Sequence, residues 1–218
     1  MNWDWDYALE IAPEMLSQGL IVTVQATLAG AVLAFVLGLL LAMLLRSGRR
    51  WVSLPTRLFV EFVRSTPLVA QLFFVFFVFP SALGITMSAL TTGIIVLGVH
   101  YSCYTAEVYR AGIDGVPKGQ WEAAVALNLP RFRVWTSVIL PQAVRRALPV
   151  LGNYLIVIFK ETPQLTLITV VDVLGTGRIL ASESYRYLEP ITIAGLFFLI
   201  VAVPASIIVR RLERRLAQ

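Results

Sequence analysis

The chain has 218 residues, of which 58% are hydrophobic and only 14% are charged, and its mean hydropathy is +0.78. Soluble domains are on average about half apolar and about a quarter charged, so this composition excludes an ordinary soluble domain. The 18 basic and 13 acidic residues leave a formal charge of +5. Because the arginines stand between apolar runs, this charge indicates a membrane protein with basic loops rather than a nucleic-acid binder.

The N-terminal residues carry Asp4, Asp6, Glu10 and Glu14 and no basic residue, unlike a cleavable signal peptide, which begins with a cationic stretch. We therefore predict an extracytoplasmic N-terminal segment over residues 1–18. A helix needs about 20 apolar residues to cross the hydrocarbon core, and five segments suit this role. The sequence predicts an all-α membrane protein with about five transmembrane helices, over residues 19–45, 58–79, 85–104, 147–171 and 191–209.

Lysine and arginine are distributed unevenly between the two sets of connecting segments. Fourteen of them fall in residues 46–57, in residues 105–146 and after residue 209, whereas only Arg178 and Arg186 fall on the other side. Basic residues accumulate in cytoplasmic loops. The distribution therefore predicts an N-terminus outside the cell and a C-terminus in the cytoplasm.

A long loop, residues 105–146, separates the third and fourth predicted spans. A loop of this length is usually either functional or disordered. Residues 120–127 favour a helix, and residues 131–140 favour a second helix that ends at Leu140-Pro141. The sequence therefore predicts an ordered pair of helices that projects from the membrane on the cytoplasmic side.

The break between these two helices falls at Asn128, one of the few residue types other than Gly that tolerate a left-handed backbone. Pro130 suits the first turn of the second helix. The small residues Ala123 and Ala124 stand beside Glu122 in the first helix, and such a surface suits a groove on a partner protein. The alternative is an amphipathic loop that lies on lipid headgroups.

These residues resemble a known family. Glu122-Ala123-Ala124, Asn128 and Ile139-Leu140-Pro141 are similar to the EAA loop of bacterial ABC importer permeases, which has Gly at the position of Asn128. The substitution is mild because Asn also adopts a left-handed backbone. A further resemblance, to permeases of the polar amino-acid type (histidine, glutamine and arginine), lies in residues 62–71, 104–112 and 159–163.

Several stretches resemble more narrowly the permease subunits of ectoine and hydroxyectoine importers. They are residues 1–6, 104–128, 151–163 and 185–190. The resemblance implies a small polar or zwitterionic solute, which is either ectoine or hydroxyectoine or a polar amino acid.

The resemblance also implies a type I ABC importer permease fold over residues 19–215, in the cell inner membrane. Its implied partners are membrane lipid, a second permease subunit in a heterodimer or homodimer, cytoplasmic ATPase subunits and an extracytoplasmic solute-binding protein. The chain contains no Gly-x-x-x-x-Gly-Lys-Ser/Thr segment, the motif that cradles nucleotide phosphates. We therefore expect no enzyme activity, metal or cofactor in this chain, and expect ATP and Mg²⁺ to be used by the partner ATPase.

Energy must then reach the chain through a mechanical joint. We expect residues 120–127 to be a coupling helix that docks on the ATPase, with Glu122 anchored there by a charge-assisted hydrogen bond. Motion of this loop would reorient the attached spans. The full set of predicted coupling residues is Glu122, Ala123, Ala124, Asn128, Ile139, Leu140 and Pro141.

Charged side chains inside the predicted spans mark a solute pathway or an internal ion pair, because a charge in lipid is costly. In one arrangement Glu161 meets a cationic group of the solute and Arg64 meets a carboxylate. In the other, Arg64–Glu161 or Lys160–Glu61 pairs hold two helices together. The candidate substrate-binding residues are Arg64, Gln71, Lys160, Glu161 and Thr162.

Two further features of the spans lead to expectations about packing. Gly30, Ala34 and Gly38 recur every four residues and let another helix approach closely; we expect that helix to belong to the same chain. His100, the only histidine, is expected to be a hydrogen-bonded packing residue rather than a proton relay.

Two other function classes compete with the ABC permease. A secondary transporter driven by an ion gradient would use Glu61, Glu161 and His100 as titrating groups. Against it, the sequence shows no internal repeat, and the long helical loop would have no function in such a transporter. A structural or regulatory membrane subunit would gate an assembly without contacting solute.

Overall fold

The computed structural model describes residues 3–216, so Met1 and Asn2 of the predicted N-terminal segment lie outside the described residues. Within residues 3–216 the regular structure is entirely helical. We number the helices α1 (Trp5–Leu45), α2 (Arg50–Ser65), α3 (Leu68–Leu83), α4 (Ala89–Asp114), α5 (Lys118–Ala126), α6 (Arg131–Ile168), α7 (Val173–Ser184) and α8 (Leu188–Leu216).

Helix α1 begins well before the predicted first span. The Asp4 carboxylate accepts hydrogen bonds from the backbone N–H groups of Asp6 and Tyr7 at 3.0 and 3.2 Å, which is a typical N-cap. The helix then runs for 41 residues, or about 60 Å at 1.5 Å per residue. The predicted N-terminal segment is therefore not a separate unit, because from Trp5 onward it forms the first turns of α1.

The stripe of small residues on α1 packs against α4 in the same chain, as expected. The Thr105 hydroxyl donates a hydrogen bond to the Ala34 carbonyl at 2.9 Å. A Cβ atom built on Gly38 would lie only 2.0 Å from Thr105 Oγ1. This close contact places α4 in the centre of the fold, where its buried residues join those of α1 and α6 in the main core.

The prediction of one continuous helix over residues 58–79 is wrong. The chain breaks between α2 and α3 with a bend of 104°. Pro67 has no N–H and restricts the preceding residue to an extended backbone, and Thr66 accordingly has φ −105° and ψ 138°.

The prediction that the second loop helix ends at Leu140-Pro141 is also wrong. Helix α6 continues through these residues, after a π-helical stretch over Val134–Ile139. A proline inside an α-helix clashes with the carbonyl four residues earlier. Here that carbonyl belongs to Ser137, within the wider π-helical stretch, so the helix accommodates Pro141.

Helix α6 runs from the loop end of the molecule to the opposite end, where its last turns, Thr162–Ile168, are 3-10 helical. Thr169 then adopts a left-handed backbone with φ +69°, and the chain turns into α7. The Asp172 carboxylate caps α7 by accepting a hydrogen bond from the Gly175 N–H at 2.8 Å. Helix α8 returns from this end to the basic C-terminal segment.

Three helices, α1, α4 and α8, are long and apolar enough to cross a membrane. Two bent pairs, α2–α3 and α6–α7, raise the number to five if each pair counts as one crossing. Helix α8 exposes large apolar side chains, among them Leu199 at 57% and Ile200 at 67%. Extended apolar surfaces of this kind suit lipid rather than water. The predicted all-helical membrane fold is thus confirmed with three to five candidate spans.

Candidate functional site

A cluster of three tyrosines lies where α4 meets α6. The ring centroids of Tyr101, Tyr104 and Tyr154 are 5.9 to 6.1 Å apart. The guanidinium carbon of Arg64, at the end of α2, lies 5.0 Å from the Tyr104 ring centroid. This distance is within the range of a cation–π interaction, so the tyrosine cluster joins α4 and α6 and holds the exposed side chain of Arg64 against one of its rings.

Arg64 and Tyr104 line a cavity of about 370 Å³. Opposite charges line it, because Glu107 and Arg146 share the cavity with Arg64. The Glu107 carboxylate also accepts hydrogen bonds from Arg110 at 3.0 and 3.1 Å. A cavity of this size holds a small molecule, and its mixed charges suit a zwitterion. The remaining lining residues are Val108, Ala111, Gly112, Val150 and Tyr154.

Of the five predicted substrate-binding residues, only Arg64 lines this cavity. Gln71 instead joins the two halves of the broken helix: its Nε2 donates to the carbonyl of Val63 at 2.8 Å and to the hydroxyl of Thr66 at 2.6 Å. Its Oε1 lies 3.1 Å from His100 Nδ1. Gln71 therefore satisfies backbone groups that the break leaves open, and His100 is a buried, hydrogen-bonded residue as expected.

The other three candidates lie near the far end of α6. Thr162 is buried and donates its hydroxyl to the Phe159 carbonyl at 3.0 Å. Glu161 is half-buried and accepts a hydrogen bond from Gln164, whereas Lys160 is exposed.

The alternative ion pairs are absent from residues 3–216. The salt bridges formed in this part of the chain are Arg46–Asp114, Arg110–Glu107, Arg186–Asp4 and Arg186–Glu189. Neither Arg64–Glu161 nor Lys160–Glu61 therefore holds two helices together. The Arg64 side chain is positioned by an aromatic ring instead.

Sequence reasoning missed Glu107, Tyr104 and Tyr154 as cavity residues. The spacing of Tyr104, Glu107, Val108 and Ala111 puts them on one face of α4, since residues three and four apart are neighbours on a helix. That signal was readable in the sequence. The contribution of Tyr154 from α6 was not, because it depends on how the two helices pack.

The loop predicted over residues 105–146 forms a small ordered unit. Helix α5, Lys118–Ala126, coincides closely with the predicted helix over 120–127, and Asn128 has the predicted left-handed backbone with φ +52°. The Trp121 and Trp135 rings pack edge to face, with centroids 5.3 Å apart. This pair packs on a core of buried residues from both loop helices and from the link before α5: Val116, Ala124, Val134, Ile139 and Ala143.

The predicted coupling residues divide into two groups. Ala124 and Ile139 are buried in the loop core, at 2% and 0% exposure, so they hold the loop together. The others are exposed and available to a partner: Glu122, Ala123, Asn128, Leu140 and Pro141.

The exposed end of the loop is strongly apolar. Val125, Leu127 and Phe132 are 71%, 72% and 78% exposed. Sequence reasoning did not single out this tip. Large exposed side chains clustered at one corner are typical of protein interaction sites.

Polar contacts join the loop to α6. Gln142 Nε2 donates to Gln120 Oε1 at 3.4 Å, and the Arg146 guanidinium donates to the Gly115 carbonyl. Since Arg146 also lines the cavity, a single residue contacts both the loop and the cavity.

Comparisons with known proteins show the family of this chain. Residues 34–218 match the family described as "Binding-protein-dependent transport system inner membrane component". The "Probable amino-acid ABC transporter permease protein y4tG" of Sinorhizobium fredii is 45% identical over 209 residues, covering 96% of this chain and 90% of that protein. The arginine transport system permease protein ArtQ of Bacillus subtilis is 32% identical over 219 residues, covering 99% and 98%.

Solved structures share the fold. A crystal structure of an amino acid ABC transporter with histidines matches with a TM-score of 0.92 and 30% identity, covering 99% of this chain and 100% of that chain. The MetNI methionine ABC transporter in an inward-facing conformation matches with a TM-score of 0.77 and 18% identity over 94% and 97%, which is a likeness of fold. The chain therefore belongs to the family of binding-protein-dependent transport system inner membrane components and is the permease subunit of an ABC importer, not an enzyme.

Proposed function

We propose that this chain moves a small polar amino acid or a similar zwitterion across the cell inner membrane by alternating access, driven by a separate ATPase. One observation carries the proposal: α6 is packed against the exposed loop at one end and contributes Arg146, Val150 and Tyr154 to the cavity. A displacement of the loop would thus reach the cavity lining through one continuous helix, which is the connection that a two-state transport cycle requires.

The proposed coupling surface is the exposed part of the loop. The apolar tip of Val125, Leu127 and Phe132 supplies contact area, and Glu122, exposed on α5, supplies a charge-assisted hydrogen bond to the ATPase. The charge bias supports the side assignment, with the loop and the C-terminus in the cytoplasm and the start of α1 outside.

The solute class follows from the cavity and from the relatives. Arg64 suits a carboxylate, the ring faces of Tyr104 and Tyr154 suit a cationic nitrogen, and Glu107 adds a negative charge beside them. The relatives compared above carry the names of amino-acid or arginine permeases. We place Glu161 as a second contact nearer the other end of the path, with Gln71 and Thr162 as positioning residues and Lys160 at the exposed side of α6.

Ectoine and hydroxyectoine remain a narrower hypothesis about the same site. They share with amino acids a carboxylate and a cationic nitrogen group, so the same cavity chemistry suits both. The support for them is the resemblance of the four sequence stretches.

The proposed assembly contains two permease subunits, two ATPase subunits and a solute-binding protein that delivers the solute from outside. ATP and Mg²⁺ are bound by the ATPase subunits, and we assign no cofactor to this chain.

Uptake by the reconstituted assembly tests the proposal. Proteoliposomes with the permease pair, the ATPase and the binding protein are supplied with labelled L-glutamine, L-arginine, L-histidine or ectoine. We expect uptake of at least one amino acid that requires internal ATP. Uptake that persists without the ATPase subunits and follows an imposed ion gradient would establish the secondary transporter instead. No solute uptake by an assembly that hydrolyses ATP would favour the regulatory subunit.

The geometry favours an ABC importer permease over a secondary transporter. The three titrating groups that such a transporter would use, Glu61, His100 and Glu161, form no salt bridge with one another within residues 3–216. His100 is hydrogen-bonded to Gln71 instead, and Glu161 accepts a hydrogen bond from Gln164.

A further inference from the structure

A second cavity lies at the opposite end of the molecule from the coupling loop. It has a volume of about 440 Å³ and runs between the last turns of α6 and one face of α7. The α7 residues in it are Gly175, Arg178, Ile179 and Ser182, whose spacing of three and four places them on one side of the helix. The opposite side of α7, with Thr176, Gly177 and Ala181, is buried.

The lining of this groove offers hydrogen-bond donors and no acidic side chain. Its polar residues are Arg178 and four hydroxyl residues: Thr166, Thr169, Ser182 and Tyr187. Arg178 has no carboxylate within 4.0 Å among residues 3–216, where the salt bridges involve other arginines. Only two basic residues fall on this side of the predicted topology, and the other, Arg186, is ion-paired. Arg178 is therefore the arginine at this end that can bind an external anion.

The backbone around the groove is held in an unusual geometry. Thr169 has φ +69°, a left-handed conformation that is strained for a β-branched residue. Such strain persists where packing enforces it, and it is concentrated at functional sites. Here Thr169 ends the 3-10 turns of α6, and the N–H groups of Thr169 and Val170 donate to the carbonyls of Thr166 and Leu165, each at 3.1 Å. Helix α7 packs closely against this turn, since a Cβ atom on Gly175 would lie 2.9 Å from Thr166 Cγ2 and 3.0 Å from the Val170 carbonyl. The groove is thus a rigid feature between α6 and α7.

We propose that this groove is an external carboxylate-binding site, in which Arg178 binds the carboxylate with support from the Thr169, Ser182 and Tyr187 hydroxyls. A guanidinium matches a carboxylate with two parallel hydrogen bonds. The carboxylate belongs either to the solute as it reaches the permease or to an acidic side chain of the delivering protein. This inference rests on the proposed function for the identity of these two sources, but its test requires no transport.

Thiol labelling measures the preference of the groove for anions. The only native cysteine, Cys103, is buried, so a cysteine introduced by Ser182→Cys supplies the reactive thiol in the groove. The assembled complex is placed in phosphatidylcholine nanodiscs, where no anionic lipid competes. The rates of reaction with a sulfonate-bearing and a trimethylammonium-bearing methanethiosulfonate are followed by the mass of this chain. Glu183→Cys, exposed on the same helix outside the groove, corrects for the intrinsic rates of the two reagents.

We expect the corrected rate to favour the anionic reagent about tenfold, as for a positively charged cleft, and Arg178→Gln to abolish this preference. L-glutamine and L-arginine are then added, with the amide of L-glutamine as a control that lacks the carboxylate. If the free amino acids slow the labelling about tenfold at ten times their dissociation constant, and the amide does not, the solute is the source of the carboxylate.

Slowing only by the solute-loaded binding protein would identify an acidic side chain of that protein as the source. The proposal is overturned if the anion preference survives Arg178→Gln, or if neither the amino acids nor the binding protein slow the labelling. Loss of ATP-driven uptake with retained labelling behaviour would count against the proposed function and leave the groove assignment standing.

Discussion

Arg186 binds the carboxylate of Asp4 through two guanidinium nitrogens, each 3.1 Å from Asp4 Oδ2. The same guanidinium stacks on Tyr7, with its carbon 4.6 Å from the ring centroid, and contacts the buried Glu189 at 3.2 Å. Through these contacts the first turn of α1 is tied to the corner between α7 and α8, so two chain segments more than 180 residues apart hold each other in place.

This contact predicts a loss of stability in acid. Hydrogen bonds from the Tyr7 N–H and from Arg186 lower the pKa of Asp4 below its usual value of 3.8. A lowered folded-state pKa means that the stabilisation is complete above the usual pKa and is lost as the pH falls through the lowered value. The effect is small because both side chains are partly exposed and surface ion pairs are weak.

Thermal unfolding of the detergent-purified protein between pH 7 and pH 3 measures this effect. Asp4→Asn should lower the midpoint temperature of unfolding at pH 7. The difference between the midpoints of the variant and of the native protein should then shrink toward pH 3. Asp6→Asn, which changes an exposed carboxylate with no salt bridge among the described residues, is the matched control. Equal shifts for the two variants at pH 7 would show that the Arg186 contact contributes nothing.

The close approach of α1 and α4 predicts that a larger residue at position 38 destabilises the protein. In Gly38→Ala the new methyl group would lie 2.0 Å from Thr105 Oγ1 and 3.0 Å from the Ser102 carbonyl, so the two helices must separate. Overpacking of this kind costs about 1–3 kcal/mol. Gly195→Ala, on α8 with nothing within 4 Å of the new Cβ, should not lower the stability, because Ala favours a helix more than Gly does. A Gly38→Ala protein as stable as Gly195→Ala would contradict the packing described here.

Reversal of the charge at Glu122 should uncouple ATP hydrolysis from uptake. Glu122 is exposed, so Glu122→Lys should preserve folding while placing a like charge against the proposed donor on the ATPase. We expect uptake in proteoliposomes to fall at least about tenfold, since hydrogen bonds to charged groups contribute about 1.5–3 kcal/mol. Glu213→Lys, a reversal at an exposed position near the end of α8, is the control. Full uptake by the Glu122→Lys assembly at normal abundance would refute the docking role.

The Trp121–Trp135 contact predicts that the loop transmits motion as a rigid unit. Trp135→Ala removes one ring of the pair, and an aromatic pair contributes about 0.5–1.5 kcal/mol beyond its buried area. We expect fewer solute molecules transported per ATP hydrolysed, with Trp135→Phe close to the native ratio. A double-mutant cycle with Trp121→Ala isolates the pair. Additive effects of the two substitutions on this ratio would show that the contact itself does not carry the coupling.

The cavity predicts a role for Arg64 in solute affinity. Arg64→Gln removes both the cation over Tyr104 and the proposed partner of the solute carboxylate, so the KM for uptake should rise about tenfold or more. Arg64→Lys keeps the charge but loses the planar guanidinium, and its KM should lie between the two. Lys160→Gln, which replaces an exposed charge outside the cavity, should leave the KM unchanged. An unaltered KM in Arg64→Gln would exclude Arg64 from the binding site.

Part of the candidate site was predictable from local sequence. The helix of residues 120–127 and the left-handed Asn128 follow from helix-forming residues and from the backbone tolerance of Asn, which are properties of a few neighbouring residues. The path of α6 through Pro141 was not predictable in this way. A proline normally ends or kinks a helix, and whether a π-helical stretch relieves the clash depends on what the widened turn packs against.

The amino-acid sequence by itself determined that this protein resides in a lipid bilayer. It also determined the approximate position of the apolar segments, the charge bias between the two sides and the presence of an ordered loop. These properties are sums over short stretches of side chains, so they do not depend on how helices are arranged. Only the tertiary structure decided which charges meet. Arg64, Glu107 and Tyr154 share a cavity because the chain bends at Pro67 between α2 and α3 and because small residues such as Gly38 let α1 and α4 pack closely. The resulting angles and distances are set by contacts between residues far apart in the chain.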